Sequence, residues 1–389
     1  MQTMTRQQRP IAPAVLALAG ALCLAAAMGI GRFAFTPVLP LMLGEGVLDV
    51  AQAGWVAAAN YAGYLVGALS AARVPLRAGA MAVIALLATA ALTAAMALPL
   101  PAIWLPLRFL AGAASAWVFV ATSVWCLGAL AQQDGSHASG WVYAGVGSGI
   151  ALVGFHCLLA ATAGVRSALL WLQLGGLALL LALPAFWVIA RLPPSADAAP
   201  SPAVGDGSHT EGGGTRGLVV CYGIMGFGYI LPATFLPVLA RTVVDDPRVF
   251  GLAWPVFGAT AALSTLFTAR LLRGATRRKT WAACQLLMGL GVLLPALGAN
   301  LWTIAMSALL VGGTFMVITL AGVQEMRARA PGHAARLVGR ITAAFALGQI
   351  AGPIVSALLL RADPQGLALA LAAGAVALFA TGAWLWRTA

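Results

Sequence analysis

Charged residues are scarce in this sequence. Only 8% of its 389 residues are Asp, Glu, Lys or Arg, whereas 61% are hydrophobic and the mean hydropathy is +0.94. A soluble domain carries about 25% charged residues, because its surface must face water. So low a charge content excludes a soluble protein whose whole surface is covered by water.

The sequence also lacks the motifs of several functional classes. No G-x-x-x-x-G-K-[ST] phosphate loop occurs, which argues against an ATP-driven pump. The five cysteines lie in apolar runs without C-x-x-C spacing, so we expect them to pack as small hydrophobic residues. Neither a metal-ligand cluster nor a nucleophile–base pair is visible, and we therefore expect no metal, no cofactor and no enzymatic activity.

Acidic residues are missing from the middle of the apolar runs. The ten acids fall in loops, in a linker or, for Glu325, at the end of a run. A proton relay usually places Asp or Glu at mid-membrane. His156 is the one histidine inside an apolar run, and for a lone histidine a packing role is favoured over that of a proton carrier. The usual residues for proton coupling are therefore not present.

What the sequence does contain is a succession of long apolar runs. A transmembrane helix needs about 20 mostly apolar residues, whereas a β-barrel would show shorter segments of alternating polarity. We therefore predict an all-α polytopic membrane protein. The twelve predicted spans are 12–43, 51–72, 79–98, 102–128, 140–160, 167–190, 217–240, 250–269, 280–299, 301–324, 337–360 and 367–386.

The basic residues indicate how these spans are oriented. With the N-terminus in the cytoplasm, sixteen Lys and Arg residues fall in inner loops and tails, and four fall in outer loops. This excess follows the positive-inside rule, and it explains the net charge of +12 without a nucleic-acid partner. We predict a multi-pass protein of the bacterial cytoplasmic (inner) membrane with both termini inside. We expect it to be a monomer in the lipid bilayer, with a small-molecule substrate and, as a further candidate, a coupling ion.

An internal repeat divides the chain. A shift of 197 residues lays 28–73 over 225–270 with 12 identities in 46 positions, where this composition gives about 5 by chance. Since each unit would hold six helices, both would insert the same way up, as a parallel repeat about an axis along the membrane normal. We predict four regions: a cytoplasmic tail (1–11), a first six-helix bundle (12–190), a cytoplasmic linker (191–216) and a second bundle (217–389).

Three stretches of the apolar runs contain recognisable motifs. Run four contains "RFLAG" from Arg108, run eleven contains "GQIAGP", which ends at Gly352 and Pro353, and run one contains "GIGRFAFTPVLPLM" at 29–42. The first two resemble motifs of the major facilitator superfamily, and the third is similar to the first-helix signature of the uncharacterised YbfB/YjiJ-type transporters of this superfamily. The resemblance implies two six-helix bundles related by a pseudo-twofold axis along the membrane normal, which transport a substrate by alternating access.

The loop after the second span departs from the pattern of that superfamily. The position of the acid that helps to latch the cytoplasmic side holds Ala71, and the copy in the second half also lacks an acid. The remaining basic residues could serve in gating or, with equal weight, only fix the topology. The candidate gating or conformational residues are Arg73, Arg77, Arg270, Gly352 and Pro353.

Two arginines lie inside apolar runs. An arginine at a helix centre costs about 2.5–3.5 kcal/mol on insertion scales, so it normally faces the interior of the bundle or a wet cavity. Arg32 has several turns of helix beyond it and is expected to line a cavity, whereas Arg108 lies nearer a helix end and could equally snorkel to the surface. Aromatic, amide and cationic groups together suit a small anionic or amphiphilic ligand. The candidate substrate-binding residues are Arg32, Phe35, Asn60, Tyr61, Tyr64, Arg108, Tyr222, Tyr229 and Gln349.

These observations favour a secondary active transporter for a small molecule, with a small organic anion or amphiphile as the candidate cargo. A proton-coupled efflux pump for a neutral or cationic drug or metabolite remains an alternative. A non-transporting membrane receptor or scaffold is a second alternative, but no loop is long enough to hold a soluble output domain.

Overall fold

The computed structural model describes residues 11–133, 135, 138–192, 213–244, 246, 251–271, 276–329 and 334–389. The regular elements in this part of the chain are all helices, which confirms the all-α prediction. Residues 1–10 of the predicted tail and 193–212 of the predicted linker lie outside the described residues.

The first predicted run is not one regular α-helix. It consists of α1 (Pro13–Leu24), a π-helical segment (Ala25–Arg32) and α2 (Phe35–Gly44). The other predicted runs coincide with single α-helices, several of which are a few residues longer than expected. These are α3 (Val50–Ser70), α4 (Ala78–Ala95), α5 (Pro101–Ala131), α6 (Ser139–Thr162), α7 (Ser167–Ile189), α8 (Gly213–Val243), α9 (Ala253–Leu271), α10 (Arg277–Leu297), α11 (Leu301–Arg329), α12 (Ala334–Ala362) and α13 (Gly366–Arg387).

Two glycines let the π-helical segment approach its neighbours closely. A Cβ on Gly29 would lie 2.5 Å from the carbonyl carbon of Gly149 in α6. A Cβ on Gly31 would lie 2.6 Å from both Ser115 Oγ and Thr89 Cγ2. The wider π-helical turns, which recur at functional sites, therefore lie deep in the packed interior.

Among the described residues, ten helices are long and apolar enough to cross a membrane, with Pro13–Gly44 counted as one. Helix α3 is not among them, because Gln52, Asn60 and its two tyrosines make it less hydrophobic than the other spans. In α9, the apolar part that can be described ends at Phe267 and is shorter than the other spans. Many large apolar side chains face outward, among them Leu180 at 62% and Val376 at 66% exposure, as suits a surface in contact with lipid.

The most extensive contacts between the part of the chain before the linker and the part after it are made by three helix pairs: α3 with α12, α6 with α9, and α2 with α8. At the α3–α12 contact, a Cβ on Gly54 would lie 2.8 Å from the Pro353 carbonyl oxygen and 2.9 Å from Ala357 Cβ. A larger residue at position 54 would force these helices apart.

The two ends of the helix assembly are distinguished by their acids. At one end, called here the Glu45 end, the Glu45 carboxylate accepts a hydrogen bond from the Ser167 backbone N–H at 2.7 Å. At the same end, the Arg241 guanidinium donates to the carbonyl of Pro40. The opposite end, called the Glu325 end, contains the last turns of α11 and the first turn of α10.

Candidate functional site

Arg32 is the residue around which the candidate site is built. It ends the π-helical segment and is only 3% exposed. Its guanidinium carbon lies 3.9 Å from the ring centroid of Tyr64, 5.6 Å from that of Tyr61 and 5.1 Å from that of Phe33. These distances suit cation–π attraction to the ring faces. The guanidinium is thus enclosed by aromatic rings and does not extend to a helix end.

Gln349 of α12 connects Arg32 to Tyr229 of α8. The Arg32 Nη2 donates to Gln349 Oε1, and the Gln349 Nε2 donates to the Tyr229 hydroxyl. Tyr229 follows Arg32 by 197 residues, which makes it the position that the internal repeat assigns to Arg32. The site therefore brings together an arginine and a tyrosine from equivalent positions of the two repeats.

The same offset of 197 residues recurs closer to the Glu45 end. The hydroxyl of Thr36 donates to the carbonyl of Ala233 at 2.8 Å, and these two residues are also equivalent in the repeat. Beside them, the hydroxyls of Tyr61 and Thr234 lie 3.3 Å apart. Hydrogen bonds thus join the two repeats at the level of Arg32 and between that level and the Glu45 end.

The groups around Arg32 are electrically neutral. They are an amide, two phenol rings and a phenyl ring, and the Nε of Arg32 has no hydrogen-bond partner. Within the described residues, no carboxylate contacts this guanidinium. Nε and Nη2 form one edge of the guanidinium, and this edge can bind a carboxylate through two parallel hydrogen bonds. One of these donors is free, and the other is held by a neutral amide.

The guanidinium of Arg108 is bonded to the protein backbone. The residue is 2% exposed, and its two terminal nitrogens donate to successive carbonyls, Nη1 to Gly31 at 3.0 Å and Nη2 to Arg32 at 2.7 Å. The guanidinium is therefore occupied by the backbone at the end of the π-helical segment. This geometry excludes the snorkelling that the sequence left open, since the side chain points into the protein.

Asn60 and Phe35 support Arg108. The Nδ2 of Asn60 donates to the Arg108 carbonyl at 2.9 Å and to the Gly31 carbonyl at 3.3 Å. The guanidinium carbon of Arg108 lies 5.4 Å from the ring centroid of Phe35. These three predicted site residues come together as a unit that holds the backbone of Arg32, and none of their described bonds is made to Gln349 or Tyr229.

A column of aromatic rings that was not predicted from the sequence passes through Tyr229. Phe345 and Phe315 stack on either side of it with centroids 5.5 Å away, and Phe257 lies 5.7 Å from Phe315. Trp254 stacks on Phe257 at 4.9 Å and lies 6.3 Å from Phe33. The spacing of Trp254 and Phe257 along one helix face was a visible signal. The other rings lie on three different helices, so their meeting depends on how those helices are rotated.

Tyr222 and His156 have no described contact with Arg32. The ring of Tyr222 packs on Phe345 at 5.5 Å and meets Trp281 edge-on at 5.7 Å. It is therefore joined to Tyr229 through the ring of Phe345, which contacts both. His156 Nε2 lies 3.1 Å from Gln173 Oε1, in a contact between α6 and α7.

The candidate gating residues have unequal surroundings. Arg73 is exposed just beyond the end of α3, and it donates to the Leu69 carbonyl of that helix at 2.8 Å. Arg77 is also exposed at the start of α4, and the side chain of Arg270 lies outside the described residues. In contrast, Gly352 and Pro353 lie in the tight packing of α12, with Gly352 against Ile230 of α8 and Pro353 against Gly54 of α3.

An ion-pair cluster lies at the Glu325 end. The Glu325 carboxylate accepts from the Nε of Arg278 at 2.8 Å and from the Nε of Arg329 at 3.1 Å. Arg278 also donates to the carbonyl of Thr388. Although the loop before α10 lacks its own acid, Glu325 of α11 supplies one to Arg278. This pairing was not predicted from the sequence.

The fold is shared with two solved structures of one membrane transporter. The crystal structure of the nucleoside transporter NupG and that of a point mutant of it both superpose with a TM-score of 0.71. The mutant is 14% identical, and the match covers 95% of this chain and all of that one. The other structure is 13% identical, with 96% of this chain and 98% of that chain covered. At this level of identity the likeness establishes the fold alone.

A comparison with protein-family models shows the family of the chain. The model described as "Uncharacterised MFS-type transporter YbfB" matches residues 24–385. The chain belongs to this family, and it is thus a multi-pass membrane transporter and not an enzyme. No individual curated protein gave a match.

Proposed function

We propose that this chain is a secondary active transporter that moves a small organic anion across a bacterial cytoplasmic membrane by alternating access. The helices and the repeat of 197 residues support twelve spans in two six-helix bundles, 12–190 and 217–389, with 191–216 as a cytoplasmic linker. In the orientation that the basic residues favour, the Glu45 end faces outward and the Glu325 end faces the cytoplasm.

The observation that carries the proposal is the state of Arg32. It is a permanently charged group, 3% exposed, with a free Nε and a neutral amide as its hydrogen-bond acceptor. Burying a charge is costly unless it is paired. An organic anion at the Nε/Nη2 edge would supply the missing charge. The same reasoning disfavours a cationic cargo, which would be repelled.

The surroundings of Arg32 also favour a particular shape of ligand. The ring faces of Tyr64, Tyr61 and Phe33 lie next to the guanidinium. A fourth ring, that of Tyr229, is connected to it through the Gln349 amide. Such flat apolar surfaces favour a planar, apolar body attached to the anionic group. Benzoate and benzenesulfonate are the simplest probes of this type.

The contacts near the Glu45 end are weak enough to break and re-form, as a gate between the two bundles requires. The bonds from Thr36 to Ala233 and between Tyr61 and Thr234 are neutral hydrogen bonds, each with a net contribution of about 0.5–1.5 kcal/mol. The close approach of Gly54 to Pro353 adds apolar contact between α3 and α12. We propose that these contacts form the outer gate, with Gly352 and Pro353 in the moving helix. A gating role for Arg73, Arg77 and Arg270 stays a prediction.

Binding to the purified protein tests the proposal. Benzenesulfonate and benzoate should raise the melting temperature of the detergent-solubilised protein, whereas benzamide and benzylammonium should not. Arg32→Ala should abolish the shift, because a lost charge-assisted hydrogen bond costs about 1.5–3 kcal/mol, or roughly ten- to a hundredfold in affinity. Arg32→Lys keeps the charge without the planar fork and should restore only part of it.

A matched control comes from another arginine. The guanidinium of Arg191 lies 4.0 Å from the ring centroid of Trp187, but it is exposed at a helix end. Arg191→Ala removes a similar cation–aromatic contact and should leave anion binding unchanged. If Arg32→Ala melts at a lower temperature yet binds the anions with unaltered affinity, Arg32 is structural and the proposal is wrong.

A further inference from the structure

The two buried arginines leave the centre of the protein with a fixed positive charge. Arg108 is 2% exposed, and its charge is directed at two backbone carbonyls. Arg32 is 3% exposed, and its hydrogen-bond acceptor is the neutral Gln349. Since a guanidinium does not lose its proton in a protein, neither residue can become neutral when the surroundings turn dry. The positive charge must therefore be compensated by another group or tolerated at a cost.

In the part of the chain that the structure describes, no acid is placed to compensate this charge. The ten acids of the sequence lie in loops, in the linker or at helix ends. The acids with a described position agree with this: Glu45, Asp246 and Asp363 follow the ends of α2, α8 and α12, and Asp49 caps α3. Glu325 is paired with Arg278 and Arg329 at the opposite end of the molecule. The anionic substrate is thus the group available to neutralise Arg32.

We propose that the protein is an anion exchanger, which changes its orientation readily only while a monovalent organic anion occupies Arg32. This inference rests on the proposed function. Alternating access passes through a conformation closed on both sides, in which the site is shut off from water. With one anion bound, the pair is nearly neutral in that conformation; with the site empty, the charge of Arg32 stays uncompensated and desolvated. Exchange of one anion for another should therefore be much faster than one-way transport.

Gln349 offers a way to alter the charge without altering the shape. Its Oε1 already accepts from Arg32, so Gln349→Glu would place a carboxylate of nearly the same volume at that position. The new carboxylate would neutralise the empty site and compete with an incoming anion. The variant should thus reorient when empty, and its exchange preference should fall. Gln349→Ala removes the amide without adding charge. Whatever its overall transport rate, exchange should still be faster than one-way transport in this variant.

The experiment uses radiolabelled benzenesulfonate, which stays ionised at neutral pH and does not leak through lipid as a neutral acid. Proteoliposomes with the wild-type protein are loaded with unlabelled benzenesulfonate, with the neutral benzenesulfonamide or with buffer. Uptake of label should be about tenfold faster or more with benzenesulfonate inside than in the other two cases, which should be equal. With Gln349→Glu the ratio should approach one, and it should rise again at acidic pH as the new carboxyl becomes protonated.

The outcomes separate this inference from the proposed function. If benzenesulfonate does not stabilise the purified wild-type protein, anion binding at Arg32 is wrong and the exchange proposal falls with it. If it binds, and Arg32→Ala abolishes the binding, but uptake is equally fast into empty and loaded vesicles, only the exchange proposal is overturned. The wild-type measurement gives this answer even if Gln349→Glu fails to insert into the membrane.

Discussion

Arg108 gives the sharpest test of how the candidate site is held together. Its guanidinium donates to the carbonyls of Gly31 and Arg32 at 3.0 and 2.7 Å, at the point where the π-helical segment ends. We expect Arg108→Met, which keeps the apolar stem and removes the fork, to destabilise the protein. Arg108 is in this view a positioning residue, which acts on the anion only by holding the backbone of Arg32.

The size of the effect follows from the two bonds. Hydrogen bonds to a charged group are worth about 1.5–3 kcal/mol each, but removal of the buried charge recovers part of its desolvation cost. The Gly31 carbonyl keeps a donor in Asn60 Nδ2 at 3.3 Å, whereas the Arg32 carbonyl loses the donor that Arg108 supplies. We therefore expect a loss of about 2–4 kcal/mol in the free energy of unfolding. Arg108→Lys keeps the charge but loses the planar geometry of the guanidinium, and it should lose roughly half as much.

The assay is reversible unfolding in mixed micelles, with benzenesulfonate affinity measured on the same preparations. Asn60→Ala is the companion variant, because it removes one amide and leaves the fork of Arg108 intact. It should cost about 1 kcal/mol. If Arg108→Met leaves the free energy of unfolding unchanged but abolishes binding, Arg108 contacts the anion directly and the positioning role is refuted.

Three further outcomes are expected. Reporter fusions at residue 205 and at the C-terminus should both report the cytoplasm, and an external signal at either site would contradict the twelve-span count. Gly31→Ala should lower the free energy of unfolding by about 1–3 kcal/mol, since its Cβ would lie 2.6 Å from two neighbouring side chains. Gly176→Ala is the control: a Cβ there would have nothing within 4 Å, so it should be neutral or slightly stabilising in the same unfolding assay. Glu325→Gln should cost about 1 kcal/mol through the loss of its pair with Arg278, where both side chains are about 15% exposed, and an equal cost at high salt would count against an electrostatic origin.

Much of the central site could be predicted from the sequence because the repeat carries spatial information. The offset of 197 residues pairs Arg32 with Tyr229 and Thr36 with Ala233. The structure brings the first pair together through Gln349 and joins the second by a hydrogen bond. Rare residues in long apolar runs were informative for the same reason, since a polar group at that depth has few possible locations.

Other features could not be predicted, because they depend on backbone geometry or on helix rotation. The sequence "AAAMGIGR" gives no sign that Ala25–Arg32 is π-helical, since alanine and glycine fit several helix types. The bonds of Arg108 follow from that geometry, because they are made to carbonyls at the end of the π-helical segment. The aromatic column likewise requires that four helices present their rings to one another, which no pattern within a single helix reveals.

The π-helical segment also makes the site sensitive to chain length. An α-helix turns by about 100° per residue, and a π-helix accommodates extra residues without displacing the helices on either side. Deleting a single alanine from Ala25–Ala27 would favour an α-helical path and rotate everything before the deletion relative to Arg32. Either α1 would lose its packing on α6, or Arg32 would turn away from Gln349. A deletion in three featureless alanines would then damage the site as severely as loss of the arginine itself, although none of the three bears a functional group.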